Sequence, residues 1–158
     1  MIRIGVVGYS GKKFNQIVAK ALMEIVLDLV EEYHKDKEYM LVSGLTDLGI
    51  PAIAYRSAKK RKWKTMGIAC EKAEEYDLYP VDEKIIEGKD WGDESVTFLD
   101  NIDVLVRIGG GEQSMDEVEK AKKKNITVYE YDLPEIKEKK ASSLTQTTTI
   151  PEIYISDK

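Results

Sequence analysis

One cysteine, Cys70, and one histidine, His34, in 158 residues leave no material for an internal disulfide or for a zinc-type cluster. No apolar stretch approaches the ~20 residues that a membrane-crossing helix needs. The N-terminus enters a strand without the basic-then-apolar pattern of a signal peptide, so a cytoplasmic protein with no membrane partner is expected. Acidic residues outnumber basic ones, 29 to 24, and the resulting net charge of −5 disfavours nucleic acid as a general partner. The basic run Lys59 to Lys64 (KKRKWK) is a local exception and is read as a solvated face. What is present is 42 % apolar residues, enough for the core of one ordinary domain.

Apolar runs alternate with helical periodicity along the chain. Arg3 to Val7 reads as a buried strand that ends in the corner Gly8-Tyr9-Ser10-Gly11, with Asn15 placed to cap the helix that follows. In that helix Ile17, Val18, Ala21, Leu22, Ile25, Val26, Leu29, Val30 and Tyr33 recur at helical spacing, and the stripe is expected to be core. Tyr39 to Val42 is a second strand, closed by Ser43 and Gly44. A helix is expected from Ile50 to Lys60 with Pro51 in its first turn, then a strand from Thr65 to Ala69. Between Glu71 and Gly92 only Leu78 to Val81 suggests a short strand. Glu94 to Asn101 reads as a helix, Val104 to Ile108 as a strand, Ser114 to Lys124 as a helix stopped by Asn125, and Ile126 to Glu130 as the last core strand. Strands alternating with helices imply parallel pairing through right-handed crossovers. The expected fold is therefore α/β, a Rossmann-like three-layer sandwich with a mainly parallel sheet. It occupies residues 1–135, and residues 136–158 form a polar tail with a candidate edge strand at Ile150 to Ile155.

Three small-residue corners follow strands, and the third is the most informative. Val104 to Ile108 runs into Gly109, Gly110 and Gly111 and then into a helix, so bare backbone meets the positive end of a helix dipole, an arrangement that favours an anion. Two familiar nucleotide motifs do not fit. Gly8 to Lys13 has two residues between its glycines where a P-loop has four, and Lys13 stands where the magnesium-binding hydroxyl belongs. The second strand ends without the acidic residue that holds a dinucleotide's ribose.

Gly8-Tyr9-Ser10-Gly11, Val42-Ser43-Gly44 and the stretch Gly109 to Glu117 (GGGEQSMDE) together resemble the SLOG superfamily of Rossmann-like domains over roughly residues 2 to 132. That group includes the LOG phosphoribohydrolases once labelled lysine decarboxylases, the molybdenum-cofactor carrier proteins and the DNA-processing protein A domain. In LOG enzymes the last motif reads Pro-Gly-Gly-x-Gly-Thr-x-x-Glu. Gly110 and Gly111 match its two glycines, Ser114 its threonine and Glu117 its glutamate, whereas Gly109 replaces the proline and Gln113 the third glycine. The upstream arginine and lysine of LOG enzymes have only Arg56 and Lys59 as counterparts. The resemblance implies a nucleotide or other phosphorylated small molecule as ligand, held by Gly8, Tyr9, Ser10, Gly11, Ser43, Gly44, Gly109, Gly110, Gly111, Gln113 and Ser114. It also implies a homo-oligomer, dimer or larger, for which the first helix and the tail are available.

Two function classes stand side by side. A carrier or sensor binds the ligand without turnover, and the imperfect motif favours it. A nucleoside 5'-monophosphate phosphoribohydrolase would cleave an N-glycosidic bond, with Glu117 stabilising charge on the ribose carbon or orienting water. Asp93 and Glu94, beside Trp91, are further candidate catalytic groups, or else a capped helix start with Trp91 on the core. Lys12 and Lys13 accompany the first corner. Arg107 must pair with an acid or reach the phosphate. His34 is expected in solvent and Cys70 as a buried small residue. A side chain added at Gly110 is expected to fill the anion's space and leave the fold intact.

Overall fold

A computed structural model describes residues 1–36 and 38–137. β1 (Ile2–Gly8) leads through a loop to α1 (Gln16–His34), followed by β2 (Tyr39–Ser43), α2 (Gly49–Lys60) and β3 (Lys64–Ala69). A 3₁₀ turn at Glu71–Glu75 precedes β4 (Glu83–Ile86), and α3 (Ser95–Asp100), β5 (Val104–Ile108), α4 (Glu112–Lys123) and β6 (Thr127–Tyr131) complete the order. All six strands lie in one sheet in the order β4-β3-β2-β1-β5-β6, and every pairing is parallel. Two-residue alternation on the strands feeds two cores. Ile4 and Val6 of β1 face α1 and α2, where Met23, Leu27, Ile53 and Tyr55 pack, whereas Val7 faces Phe98, Leu99 and Val118 of α3 and α4. This is the expected three-layer Rossmann-like sandwich.

Local chemistry fixes the element ends. Asn15 Oδ1 accepts the backbone N–H of Val18 at 3.0 Å and starts α1 as expected. Asn125 takes a left-handed φ of 61° just beyond α4, the stop its side chain tolerates. Three expectations need correction. Leu78 makes only an isolated bridge to Thr46, and the edge strand lies instead at Glu83–Ile86, where the exposed Glu83 and Lys84 hide its apolar alternation. α4 begins at Glu112 rather than Ser114, with Gly111 as its extended N-cap. Of the nine residues in the apolar stripe of α1 only Val26 and Val30 are buried, beside Ala19, Met23 and Leu27, whereas Ile17, Ile25, Leu29 and Tyr33 are 80 %, 56 %, 46 % and 73 % exposed. Nine apolar positions span more of the helix circumference than one sheet contact covers. The candidate strand at Ile150 to Ile155 lies outside the described residues.

Candidate functional site

β1 is central, and the chain leaves it toward β2 on one side while β5 pairs with it on the other. At such a switch in strand order the loops diverge beyond the carboxyl ends and leave a crevice. A cavity of about 450 Å³ occupies that position, within the range of small-molecule sites. It is lined by Gly8, Tyr9, Ser10, Gly11 and Lys12 after β1, by Ser43, Gly44 and Thr46 at the end of β2, and by Gly111, Gln113, Ser114 and Glu117 of the third corner. Glu94 and Trp91 come from the segment before α3, and Glu135 from the chain beyond β6. The Ile136 N–H donates to the Lys13 carbonyl at 2.7 Å and ties that last segment to the first loop.

The glycines of the site do different things. Gly109 and Gly110 have φ of +62° and +100°, values that L side chains rarely adopt, and neither lines the cavity. A Cβ at Gly109 would stand 2.6 Å from the Tyr9 ring, and one at Gly110 only 2.5 Å from Ser114 Oγ. Gly110 therefore makes room for Ser114, not for a ligand, which corrects the expectation that a side chain there leaves the fold intact. A Cβ at Gly111 meets nothing within 4 Å, and the same is true at Gly11 and Gly44. Gly8 is dictated by packing, since its Cβ would stand 2.3 Å from the Ile108 carbonyl oxygen and 2.7 Å from Ile50. Gly8→Ala is expected to destabilise the fold by about 3 kcal/mol, the upper part of the overpacking range, as checked by urea unfolding.

Gly111 has no side chain to cap α4, so the helix's leading N–H groups at Glu112, Gln113 and Ser114 have no cap among the described residues. Two hydroxyls nearby are also free. Ser114 and Thr46 are only 6 % and 9 % exposed, both line the cavity, and neither side chain has a hydrogen-bond partner among the described residues. Thr46 escaped the sequence reading because it lies beyond the Ser43-Gly44 corner, in a loop with no periodicity to place it. Ser43 itself is spoken for: its Oγ donates to the Val6 carbonyl at 2.6 Å.

One wall of the cavity is acidic. Glu94 and Glu117 are both buried there. Ser95 Oγ donates to Glu117 Oε2 at 2.8 Å, and Gln113 Nε2 donates to Glu94 Oε2 at 3.2 Å. Burial pushes the Glu117 carboxyl up to about 7 against the pull of the Ser95 hydrogen bond, and the charge of Glu94 adds to the rise. Asp93 stands apart: its Oδ2 accepts the N–H groups of Lys89 and Asp90 at 3.0 and 2.9 Å, which hold its carboxyl below the usual range. It staples a loop, outside the cavity lining and without capping α3. Trp91 is 48 % exposed and edge-on to Tyr76, not packed on the core.

Other candidates fall elsewhere. Arg107 turns to β6, donating to Glu130 Oε1 at 3.1 Å, Asp132 Oδ1 at 2.8 Å and the Gly109 carbonyl at 2.9 Å. It is the pairing alternative that holds, and through Gly109 it fixes the start of the glycine corner. Arg56 lies 3.5 Å from Asp47 and, like Lys59, outside the cavity lining. His34 is half-buried against Tyr33, with its Nε2 shielded from solvent, contrary to expectation. Cys70 is buried as expected.

No curated protein matches the sequence. Among solved structures, the structural-genomics target TM1055 shares 27 % identity over 81 % of this chain and 72 % of its own, with a TM-score of 0.62. The molybdenum cofactor binding protein from the phototrophic bacterium Rippkaea orientalis shares 19 % identity over 96 % and 85 %, with a TM-score of 0.65. The molybdenum cofactor carrier protein from Chlamydomonas reinhardtii shares 21 % over 82 % and 75 %, with a TM-score of 0.61. The last two establish the shared fold. A family model matches residues 1–156, and the chain belongs to the SLOG cluster4 family.

Proposed function

We propose that the protein is a carrier or sensor that binds a phosphorylated small molecule, a nucleotide or a phosphorylated cofactor, in the cavity beyond β1 and β5. The observation that carries this reading is the uncapped N-terminus of α4, which opens onto the cavity at Gly111, where no atom would oppose a ligand. An anion there completes the N–H groups and meets the helix dipole. Ser114 and Thr46 supply two further donors, and Lys12 a nearby charge. The names of the Rippkaea and Chlamydomonas proteins, both tied to a cofactor, support cargo binding over turnover. The hydrolase reading lacks its arginine, since Arg56 sits with Asp47 away from the cavity. Calorimetry with inorganic phosphate and a panel of nucleoside monophosphates, with free base followed by chromatography, tests the proposal. Micromolar binding without base release is expected; base release would restore the phosphoribohydrolase.

The partner in solution is a second copy. Ile17, Ala21, Ile25, Leu29 and Tyr33 form one i±4 ridge on α1, the kind that packs against its like at about −50°. The ridge is symmetric about Ile25, so a two-fold axis there sets the Ile17 end of one copy against the Tyr33 end of the other. Ile25→Glu is expected to convert a dimer to a monomer in analytical ultracentrifugation while ligand affinity stays within about threefold, because no residue of the ridge lines the cavity. A wild-type monomer at high concentration would remove this interface.

A further inference from the structure

The anion proposed at the start of α4 has acid for a neighbour. Glu117 lies on α4 itself, and Glu94, just before α3, accepts the Gln113 side-chain amide at 3.2 Å, so both carboxyls adjoin the uncapped helix end. They are 7 % and 5 % exposed, Glu94 first, and form no ion pair among the described residues. Their donors are neutral: the Gly92 N–H and Gln113 on Glu94, the Ser95 hydroxyl and Gln113 on Glu117. One amide thus serves two buried carboxyls, and without a cation between them it is costly for both to stay ionised. Burial and the Glu94 charge accordingly push the Glu117 carboxyl up to about 7. Ser114, 6 % exposed and without a side-chain hydrogen-bond partner among the described residues, lies three residues before Glu117, roughly one helical turn, and points to a ligand close to the pair.

Few other charges bear on Glu117. Lys120, three residues along α4, acts on it with the opposite sign to Glu94. Lys12 after β1, Glu112 in the first turn of α4 and Glu135 beyond β6 also line the cavity. Beneath α4, Arg107 of β5 and Glu130 of β6 are paired with each other at 3.1 Å. His34 and the N-terminal amine, which stands 3.7 Å from Asp36, are outside the cavity lining.

We infer that this cavity takes its anion together with a proton, which comes from solvent and stays on Glu117 of the Glu94–Glu117 pair for as long as the anion is bound. A dianion beside two ionised carboxyls meets like charge at close range. Protonating one of them removes half of that opposition and turns an acceptor into a donor. Linkage is reciprocal, so whatever the anion adds to proton affinity the proton adds to anion affinity. The site therefore loads in mild acid and unloads as pH rises past neutrality. The inference rests on the anion reading above and adds a control to that same site.

Calorimetry on the full chain with sulfate, an anion that does not itself titrate between about pH 6 and pH 8.5, tests it in two buffers of different ionisation heat. Sulfate is expected to bind roughly tenfold tighter at pH 6 than at pH 8.5, with about half a proton or more taken up per sulfate at pH 8. Glu117→Gln has no proton to gain, so its affinities at the two pH values are expected to agree within about twofold, with no proton uptake. Equal affinities and no uptake in the unsubstituted protein would overturn the inference and leave the anion site standing. Uptake that persists in Glu117→Gln would overturn the assignment to this pair. Binding of inorganic phosphate with sulfate refused at every pH would overturn the inference too, because that preference belongs to a carboxyl that stays ionised and accepts the ligand's own proton. Absence of binding by both anions would overturn the anion reading as well. The heats of the unsubstituted protein decide the matter even where the Glu117 variant does not fold.

Discussion

Gly111→Val is expected to abolish ligand binding, a loss of at least a hundredfold, while the melting temperature moves by no more than a few degrees. Position 111 has an ordinary extended backbone, φ −102° and ψ −152°, which valine adopts readily. Its Cβ meets no protein atom within 4 Å, so the new side chain stands in the space proposed for the anion. Gly110→Val should behave in the opposite way. There φ is +100°, Ser114 Oγ is 2.5 Å from the Cβ position and Gly8 Cα is 3.3 Å away. That variant is expected to lose about 3 kcal/mol or more of stability from overpacking and backbone strain together. Calorimetry paired with urea unfolding on both proteins separates the two roles. A Gly111→Val protein that binds normally would move the anion elsewhere, and a stable Gly110→Val protein would show that Ser114 yields.

The second large effect concerns pH. Glu117 has its carboxyl raised from an ordinary 4.5 to about 7 by burial and by the neighbouring Glu94 charge. The unfolded chain releases this proton near pH 4.5 and the folded chain keeps it until about 7, so the folded state binds more protons in between. Its stabilising contribution is complete below pH 4.5 and declines as pH rises through 7, a loss on the order of 3 kcal/mol. Glu117→Gln keeps an acceptor for Ser95 Oγ and has no proton to lose. Its stability relative to the parent should therefore improve by about 2–3 kcal/mol between pH 5 and pH 8, read from urea midpoints. Parallel pH profiles would mean that Glu117 is already ionised in the folded protein at neutrality. Stabilisation on removing a charge is the mark of a group retained for binding and not for folding.

The fold was legible because its signals are local and repeated. Asn15, Pro51 and Asn125 mark helix ends by their own backbone chemistry, and strands buried on both faces read as continuous apolar runs such as Val104 to Ile108. Edge positions were harder: β4 has one neighbour and little to bury, so Glu83 and Lys84 mask it. On α1, periodicity reports apolar residues without saying which of two faces meets the sheet, and Ile25 and Val26 look equivalent in sequence though only the latter is covered. Within the candidate site, glycine type alone does not tell a glycine that admits a neighbour, as at Gly110, from one that leaves space, as at Gly111. Glu94 and Asp93, adjacent in sequence, part company because one turns inward to Gln113 and the other is consumed by the Lys89 and Asp90 amides. Thr46 and Glu135 reach the cavity only through tertiary placement.

An all-parallel sheet also sets a timetable. Among the described residues no strand pairs through a hairpin, and β1, made well before β5, finds that neighbour only when Val104 is available to stand beside Ile4. Such non-local pairing is slow because loop closure precedes any reward. During synthesis β1 can lie against β2 alone, with its other edge open until Val104 to Ile108 leaves the ribosome, a state exposed to wrong strand partners. The cavity is later still, since its two halves are the corner after β1 and the start of α4. Chains stopped within α3 would carry the first corner, Ser43 and Thr46 yet have no helix end to face them, so the cavity is complete only in a finished fold.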